Sequence, residues 1–259
     1  MPEGDAVYRT AARLRQALDG RVLTRSDFRV PRHATADLTG RAVTGTVSYG
    51  KHLLTRVEGG LTVHTHLRME GSWVVMPAGR GLPRGDTVRL VLANATWQAV
   101  GLRLGTVDLL RTEHEHTVIG HLGPDLLGPD WDQREAVARL RGNPDTTIGE
   151  ALLDQRNLAG IGTIYRAETL FLKGVSPWRP VGAIADLDGL VSLAQRLLAA
   201  NKDHAATVTT GDRRRGFETW VYGRAGRPCR RCGSRIRRGE MGAQPQERLI
   251  LWCDRCQPG

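Results

Sequence analysis

A chain of 259 residues with 40% hydrophobic side chains is too long for one ordinary core and points to two or more domains. Its 37 Lys and Arg outnumber 27 Asp and Glu, and no apolar run approaches the roughly 18 residues of a membrane span, so no membrane partner is expected. The positive excess is uneven: 14 basic and 6 acidic residues fall between Arg196 and Gly259. Such a concentration is the footprint of a phosphate-backbone binder, or of an arginine-rich solvated face.

The chain begins MPEGD. Pro2 suits the first turn of a helix, where its missing N–H costs nothing. Removal of Met1 would instead make it a free secondary amine beside Glu3. Glu3 and Asp5 stand where a secretory signal would need basic residues, so a cytoplasmic location is expected. In residues 5–18, DAVYRTAARLRQAL, Val7, Ala11, Leu14 and Leu18 form one helical stripe, and Asp19-Gly20 supplies the stop.

From Arg21 to about Thr112 the texture changes to short alternating runs. RVLTRSDFRV, RAVTGTVSYG, HLLTRV, LTVHTHL, SWVVM and TVRLVLA read as strands, with Glu58-Gly59-Gly60 as a hairpin turn. A sandwich or barrel preceded by one helix follows. Lys51 sits in a turn leading into a strand and by itself reads as a solvated charge. Arg68 and Met69 lie at a strand end before Gly71; Met69 is either core filler or an apolar wedge for a base stack. His64 and His66 alternate with apolar residues, as structural histidines do.

GHLGPDLLGPDW, residues 120–131, reads as a linker, and helical patterns follow: DQREAVARLRG, IGEALLDQ, TIYRAETLFLKG and LDGLVSLAQRLLAAN. In residues 148–171 Thr147 and Glu150 have capping-box spacing, and Arg156 to Gly162 breaks the pattern. A second helix begins near Thr163. Gly160 and Gly162 permit close backbone approach, so the corner is a phosphate site at a helix N-terminus or an ordinary two-helix turn.

All four cysteines fall in CRRC and CDRC, as Cys229, Cys232, Cys253 and Cys256. Two such knuckles supply the four thiolates of a closed tetrahedral site, so one structural Zn2+ in a reducing compartment is expected. The 20 intervening residues hold two strand-like pieces, making a β-hairpin zinc finger. Arg230, Arg231, Arg235, Arg237, Arg238, Arg248 and Arg255 make its surface basic and suited to phosphate. The expected class is therefore α+β multidomain: an N-terminal helix plus β-sandwich over 1–112, a linker over 113–130, a helical domain with that two-helix corner over 131–218 and the finger over 219–259.

Taken in order, PEGD, GKHLL, HTHLRMEGSW, GPDLL, GEALLDQRNLAGIG and CRRC…CDRCQ resemble the formamidopyrimidine-DNA glycosylase and endonuclease VIII family over almost the full length. The pattern is nearest to the actinobacterial endonuclease VIII-like branch. The resemblance implies that the helical domain over 131–218 is a helix-two-turn-helix DNA-binding domain, and that the protein is a monomeric bacterial, nucleoid-associated enzyme that repairs oxidised bases or abasic sites in double-stranded DNA. It implies that the Pro2 amine attacks C1′ of a flipped-out nucleotide, displaces the base and forms an imine, with Glu3 as proton donor. Lys51 takes the family's proton-transfer and phosphate role, and Arg248 that of the finger arginine that assists elimination. By the same resemblance Arg68 and Met69 fill the vacated stack, Arg111 contacts DNA, and Gly162 and Thr163 meet a phosphate. β-Elimination followed by δ-elimination would then cut the strand.

Three departures from the family pattern bear on specificity. Thr163 stands where the family usually has Asn, losing the amide's two-sided reach. The metal loop is longer than the common pattern. QAVGLRLGTVDLLRT contains no Phe, which favours the branch acting on oxidised pyrimidines. A non-catalytic DNA-damage-binding protein of the same fold is the alternative, and a zinc-finger transcription factor a weaker one. The intact set Pro2, Glu3, Lys51 and Arg248 favours the enzyme.

Overall fold

The computed structural model describes residues 2–83, 86–245 and 247–259. Helix α1 spans Gly4–Leu18 and buries Val7, Ala11, Leu14 and Leu18, the stripe that the apolar period predicts. Glu3 is its N-cap residue in an extended conformation, and Asp5 in the first turn pairs with Arg9 at 3.0 Å. Negative charge at this end complements the helix dipole. Beyond the last turn, the Asp19 carboxylate accepts from the Thr46 N–H and hydroxyl at 3.0 and 2.8 Å. The helix stop thus also docks α1 against the next sheet.

Among the described residues eight strands follow: β1 Arg25–Phe28, β2 Val43–Tyr49, β3 His52–Val57, β4 Leu61–His66, β5 Ser72–Pro77, β6 Val88–Ala93, β7 Trp97–Leu102 and β8 Thr106–Arg111. They form two antiparallel sheets, ordered β2-β3-β4-β8 and β1-β6-β7-β5. One core joins them: Leu53, Val57, Val63 and Val107 from the first, Trp73, Leu90, Leu92 and Ala99 from the second, closed by Val7, Leu14 and Leu18 of α1. Between β3 and β4, Gly59 and Gly60 have φ of 84° and 68°, the left-handed pair that the expected hairpin needs. β7 and β8 go beyond the six runs read as strands. Gln98 to Gly101 of β7 are all buried, so the run lacks the polar-apolar alternation of a half-exposed strand.

Contacts divide the chain into two compact units, residues 1–121 and 122–259, with a single-turn helix α2 (His116–Ile119) near the end of the first. The Gly/Pro-rich stretch differs from the linker expected of it. Asp125 bridges Ala159, the Leu126 N–H donates to the Ala159 carbonyl at 3.1 Å, and Leu126 is fully buried. Its backbone is therefore satisfied inside the second unit.

That unit contains α3 (Gln133–Arg141), capped by the Asp132 carboxylate, then α4 (Ile148–Ala151), α5 (Thr163–Lys173) and α6 (Leu187–Asn201). Leu140, Ile148, Leu158, Tyr165, Leu190 and Leu198 are among its core. α4 is one turn long, and the expected capping box does not form: the Thr147 hydroxyl donates to the Glu150 carboxylate, and no side chain caps the helix. Instead the Ile148 and Gly149 N–H groups reach the Arg179 and Pro177 carbonyls, each at 2.9 Å. Strands β9 (Arg237–Met241) and β10 (Arg248–Trp252) pair antiparallel, and Ile236, Ile250 and Leu251 pack with Phe171 of α5 and Val221. Among the described residues no helix is long and apolar enough to cross a membrane.

Candidate nucleic-acid interface and metal centre

In the first unit, helix direction and strand register decide which side chains share an end. Arg15 of α1 donates through Nε to the Thr46 carbonyl of β2 at 3.1 Å, and Asp19 bridges Val43. α1 therefore runs antiparallel to β2. Back from Arg15 to Glu3 is about 18 Å of helix, and on from Thr46 to Lys51 about 17 Å of strand. Both lengths run towards the same end of the domain, which directs the N-terminus and the Gly50-Lys51 turn to one side of it. Glu3 is buried there and Pro2 and Lys51 are half-buried. Met1, whose removal would free the amine, lies outside the described residues.

The β3–β4 register pairs His52 with His66, which sets the Lys51 turn beside the loop that begins at Leu67. Arg68 has φ of 55°, held by its N–H donating to His66 Nδ1 at 2.9 Å. This turns the loop outward and leaves Met69 66% exposed, which settles its two readings against core filler. The Arg68 stem lies over Gly105: a Cβ built on that glycine would fall 2.0 Å from Arg68 Cγ. The Gly105 N–H donates in turn to the His66 carbonyl at 3.0 Å. Arg103, with φ of 45°, leads into this turn, and with Glu70 and Leu104 it lines one concavity.

Arg111 is not brought to this end. β8 pairs Thr106 with His66 but Arg111 with Leu61, and Arg111 Nη1 reaches the Gly59 carbonyl at 3.4 Å. It stands five strand residues away, about 17 Å. In the same sequence stretch, Arg103 lies two residues before Gly105, the glycine that the Arg68 stem covers. Its only signal was a cation in a Leu-Arg-Leu-Gly turn.

Behind this edge lies a histidine cluster. His52 Nδ1 and His64 Nε2 are 2.8 Å apart, the two rings stack, and His66 meets His52 edge-on at 4.9 Å between centroids. Burial, then the charges of His66, His64, His121 and Arg68, pushes His52 down to about 3. Burial, with Arg68 and Lys51 beside it, takes His66 to about 4. The cluster is neutral near pH 7 and adds no positive charge to the edge.

In the second unit the turn between α4 and α5 is braced from within. Gln155 donates to the Ile161 carbonyl at 3.0 Å and accepts from Gly160 N–H at 3.0 Å, while Asn157 donates to the Ala151 carbonyl at 2.9 Å. Gly160 has φ of 109°, a conformation only glycine enters freely. Gly162, in an extended conformation, is the N-cap residue of α5, at the positive end of the helix dipole. Thr163 Oγ1 lies 3.5 Å from the Tyr222 hydroxyl. Tyr222 is placed by Glu168, a fully buried carboxylate that accepts from the N–H groups of Trp220, Val221 and Tyr222 at 2.8, 2.9 and 2.8 Å, and from the Thr209 hydroxyl. Neither Glu168 nor Tyr222 was singled out from sequence, since a glutamate inside a helical pattern reads as solvent-facing.

Cys229, Cys232, Cys253 and Cys256 converge, with all four Sγ atoms within 4.8 Å of one another. Cys229–Cys256 and Cys232–Cys253 are 3.9 and 3.4 Å apart. A tetrahedron with metal–sulfur bonds of about 2.3 Å has edges of about 3.8 Å. Disulfides would need sulfurs at about 2.05 Å. The set therefore fits one metal ion. Gln257 closes the second knuckle, accepting from Cys253 N–H at 3.0 Å and donating to the Val175 carbonyl at 2.9 Å. Arg248 opens β10 with its side chain exposed, in register with Met241.

Comparison with known proteins matches two family profiles: the formamidopyrimidine-DNA glycosylase N-terminal domain over residues 1–107 and the formamidopyrimidine-DNA glycosylase H2TH domain over 122–199. The chain is 56% identical to a Streptomyces coelicolor protein named "Probable endonuclease 8 2", over 100% of this chain and 95% of that one. It is 45% identical to a Mycolicibacterium smegmatis DNA-(apurinic or apyrimidinic site) lyase, over 99% of each. A crystal structure of Lactococcus lactis Fpg with DNA containing an abasic site superposes with a TM-score of 0.83 at 24% identity, covering 99% of this chain and 100% of that one.

Proposed function

We propose the function from one premise: this chain belongs to the formamidopyrimidine-DNA glycosylase family, with the endonuclease 8 proteins among its relatives. It is a DNA glycosylase of base excision repair with an associated abasic-site lyase, and its partner is DNA carrying a damaged base or an abasic site. On our reading the reaction begins at the N-terminus. With Met1 removed, Pro2 presents a secondary amine, nucleophilic at neutral pH and able to form an iminium that draws electrons from the sugar. Glu3 donates the proton that opens the ring, and Lys51 moves a proton and holds phosphate. Arg68, Met69 and Arg103 occupy the vacated stack and its rim. The α5 N-terminus, with Gly162 and Thr163, and Arg248 take the backbone, and elimination on both sides of the sugar opens the strand.

The observation that carries this reading is the antiparallel run of α1 against β2, which leads Pro2, Glu3 and Lys51 to one end of the domain. Oxidised pyrimidines are the proposed lesions, supported by the absence of Phe from residues 98–112. Zn2+ is the proposed ion: four thiolates suit it, and with no position left open its role is to hold the hairpin that carries Arg248. Thiolate ligands persist in a reducing compartment, which supports a cytoplasmic location; nucleoid association and a monomeric state are proposed with it from the family resemblance alone. The test is borohydride reduction of the protein on a duplex with an abasic site or an oxidised pyrimidine. A covalent adduct should form and map to the N-terminal peptide. Processed wild-type protein that gives no adduct on any of these duplexes overturns the reading.

A further inference from the structure

Helix α5 carries a charge that its sequence pattern does not foreshadow. Arg166 is fully buried. Its Nη1 donates to the Gly149 carbonyl at 3.2 Å, and its Nη2 to the Leu249 and Arg248 carbonyls at 2.5 and 3.5 Å. One side chain thus joins α4, α5 and the start of β10. A buried cation is tolerated only where acceptors replace its water, and here the acceptors are main-chain carbonyls of two different elements. Only a guanidinium, with donors spread over a planar fork, can reach both at once; an ammonium is a point charge.

The location gives this tie a consequence. Arg166 lies one turn into α5, three residues after Thr163, and its carbonyl acceptors belong to Arg248 and the residue that follows it. A second contact braces the same junction. Met241, opposite Arg248 in the hairpin, packs its sulfur over Gly149, where a Cβ would come within 2.4 Å of Sδ. The hairpin strand is therefore held against α4 and α5 from both sides of Arg248.

We propose that Arg166 is a positioning residue for Arg248: by capping the carbonyls of residues 248 and 249 it sets the hairpin arginine relative to the α5 N-terminus, so that both meet the DNA backbone together. The inference rests on the reading of Arg248 as a residue that contacts phosphate and assists elimination.

A double-mutant cycle on the full-length, metal-loaded protein tests it. Single-turnover cleavage of an abasic-site duplex is measured for Arg166→Met, Arg248→Ala and the double variant, with zinc content and thermal unfolding recorded for each. Arg248→Ala should cost on the order of 10²-fold, Arg166→Met about 10-fold, and the double variant no more than Arg248→Ala alone, the non-additivity of two residues acting through one contact. Arg166→Met should also lower the slope of log affinity against log salt by about 0.9, the value of one phosphate contact, as Arg248→Ala should. A purely structural role would multiply the two losses and leave the slope alone, and that result overturns the proposal while leaving the role of Arg248 intact. If Arg248→Ala itself cleaves within about twofold of wild type, the reading of Arg248 falls and the proposal with it. Arg166→Lys keeps the charge without the fork and runs the same cycle should the methionine variant fail to fold.

Discussion

In residues 1–121 the candidate side chains are placed by strand register, whereas in residues 122–259 they are placed by buried charge and by a thiolate cluster. Lys51, Arg68 and Arg103 share an end because His52 pairs with His66 and Gly105 bonds back to His66. Their support is the large apolar core between two sheets. Arg248 and Tyr222 instead lie beside backbone held by two buried charges, Arg166 and Glu168, and by four sulfurs that hold a small hairpin. The first arrangement spreads its stability over many apolar contacts, and the second concentrates it in a few polar groups. Damage to the two should therefore differ in kind: graded in the first unit, abrupt and local in the second.

The largest expected effect separates chemistry from binding. An N-terminal tag that cannot be removed converts the Pro2 amine to an amide, and strand cleavage at an abasic site should fall by on the order of 10³-fold or more, as for loss of any covalent nucleophile. DNA affinity, carried mostly by other residues, should stay within about twofold in a gel-shift or anisotropy titration. Parallel loss of both would show that the N-terminus is needed for docking and would remove the division of labour.

The metal comes next. Structural zinc sites contribute roughly 10 kcal/mol or more of binding free energy that is also folding free energy. Chelation or Cys229→Ser should therefore unfold the β9–β10 hairpin and weaken DNA binding by about 10²-fold, while β2, β3 and β4 keep their hydrogen-exchange protection. Full binding by metal-free protein, or loss of protection in both units together, breaks the proposed contrast.

A smaller effect tests register. Arg103→Ala should weaken DNA binding about 5- to 10-fold, in line with one lost charged contact, and lower the salt slope by about 0.9. Arg111→Ala, at the far end of β8, should stay within about twofold. The reverse ranking would mean that DNA follows the opposite edge of the sheet.

These residues also mark where sequence is informative. The stripe of Val7, Ala11, Leu14 and Leu18, the Gly59-Gly60 turn and the paired Cys-x2-Cys knuckles are local patterns, and each has the form it predicts. Arg103 and Arg111 sit eight residues apart in one strand-turn-strand stretch, and only the pairing of β8 with β4 tells their ends apart. Arg166 and Glu168 escape for another reason. A charge on a helix reads as solvated unless the carbonyls or N–H groups that surround it are known, and those come from residues 17 to 83 positions away. Thr147 and Glu150 fail in the opposite sense: their spacing suggests a reciprocal cap, but backbone carbonyls of 177 and 179 already satisfy the helix end.

The smallest effect lies in the histidine cluster, and its sign follows from linkage. His52 and His66 titrate at about 3 and about 4 in the folded chain, mainly because burial disfavours their charged forms, against about 6.5 when unfolded. Below pH 6.5 the unfolded chain thus binds more protons, and stability falls as pH drops from there towards 4. Arg68, Lys51, His64 and His121 face the pair with positive or potentially positive charge; Asp108 opposes the trend only at His64. Between pH 7 and pH 5 each histidine can withdraw at most about 2 kcal/mol. At roughly 2–4 °C per kcal/mol for a chain of this size, the fall in Tm should be several degrees. His52→Gln, which keeps a neutral hydrogen-bonding group but cannot titrate, should lose less over the same interval, while its pH 7 cleavage remains close to wild type. An equal fall in both proteins would place the acid-sensitive step outside this cluster and remove the claim that the first unit's candidate edge rests on neutral histidines.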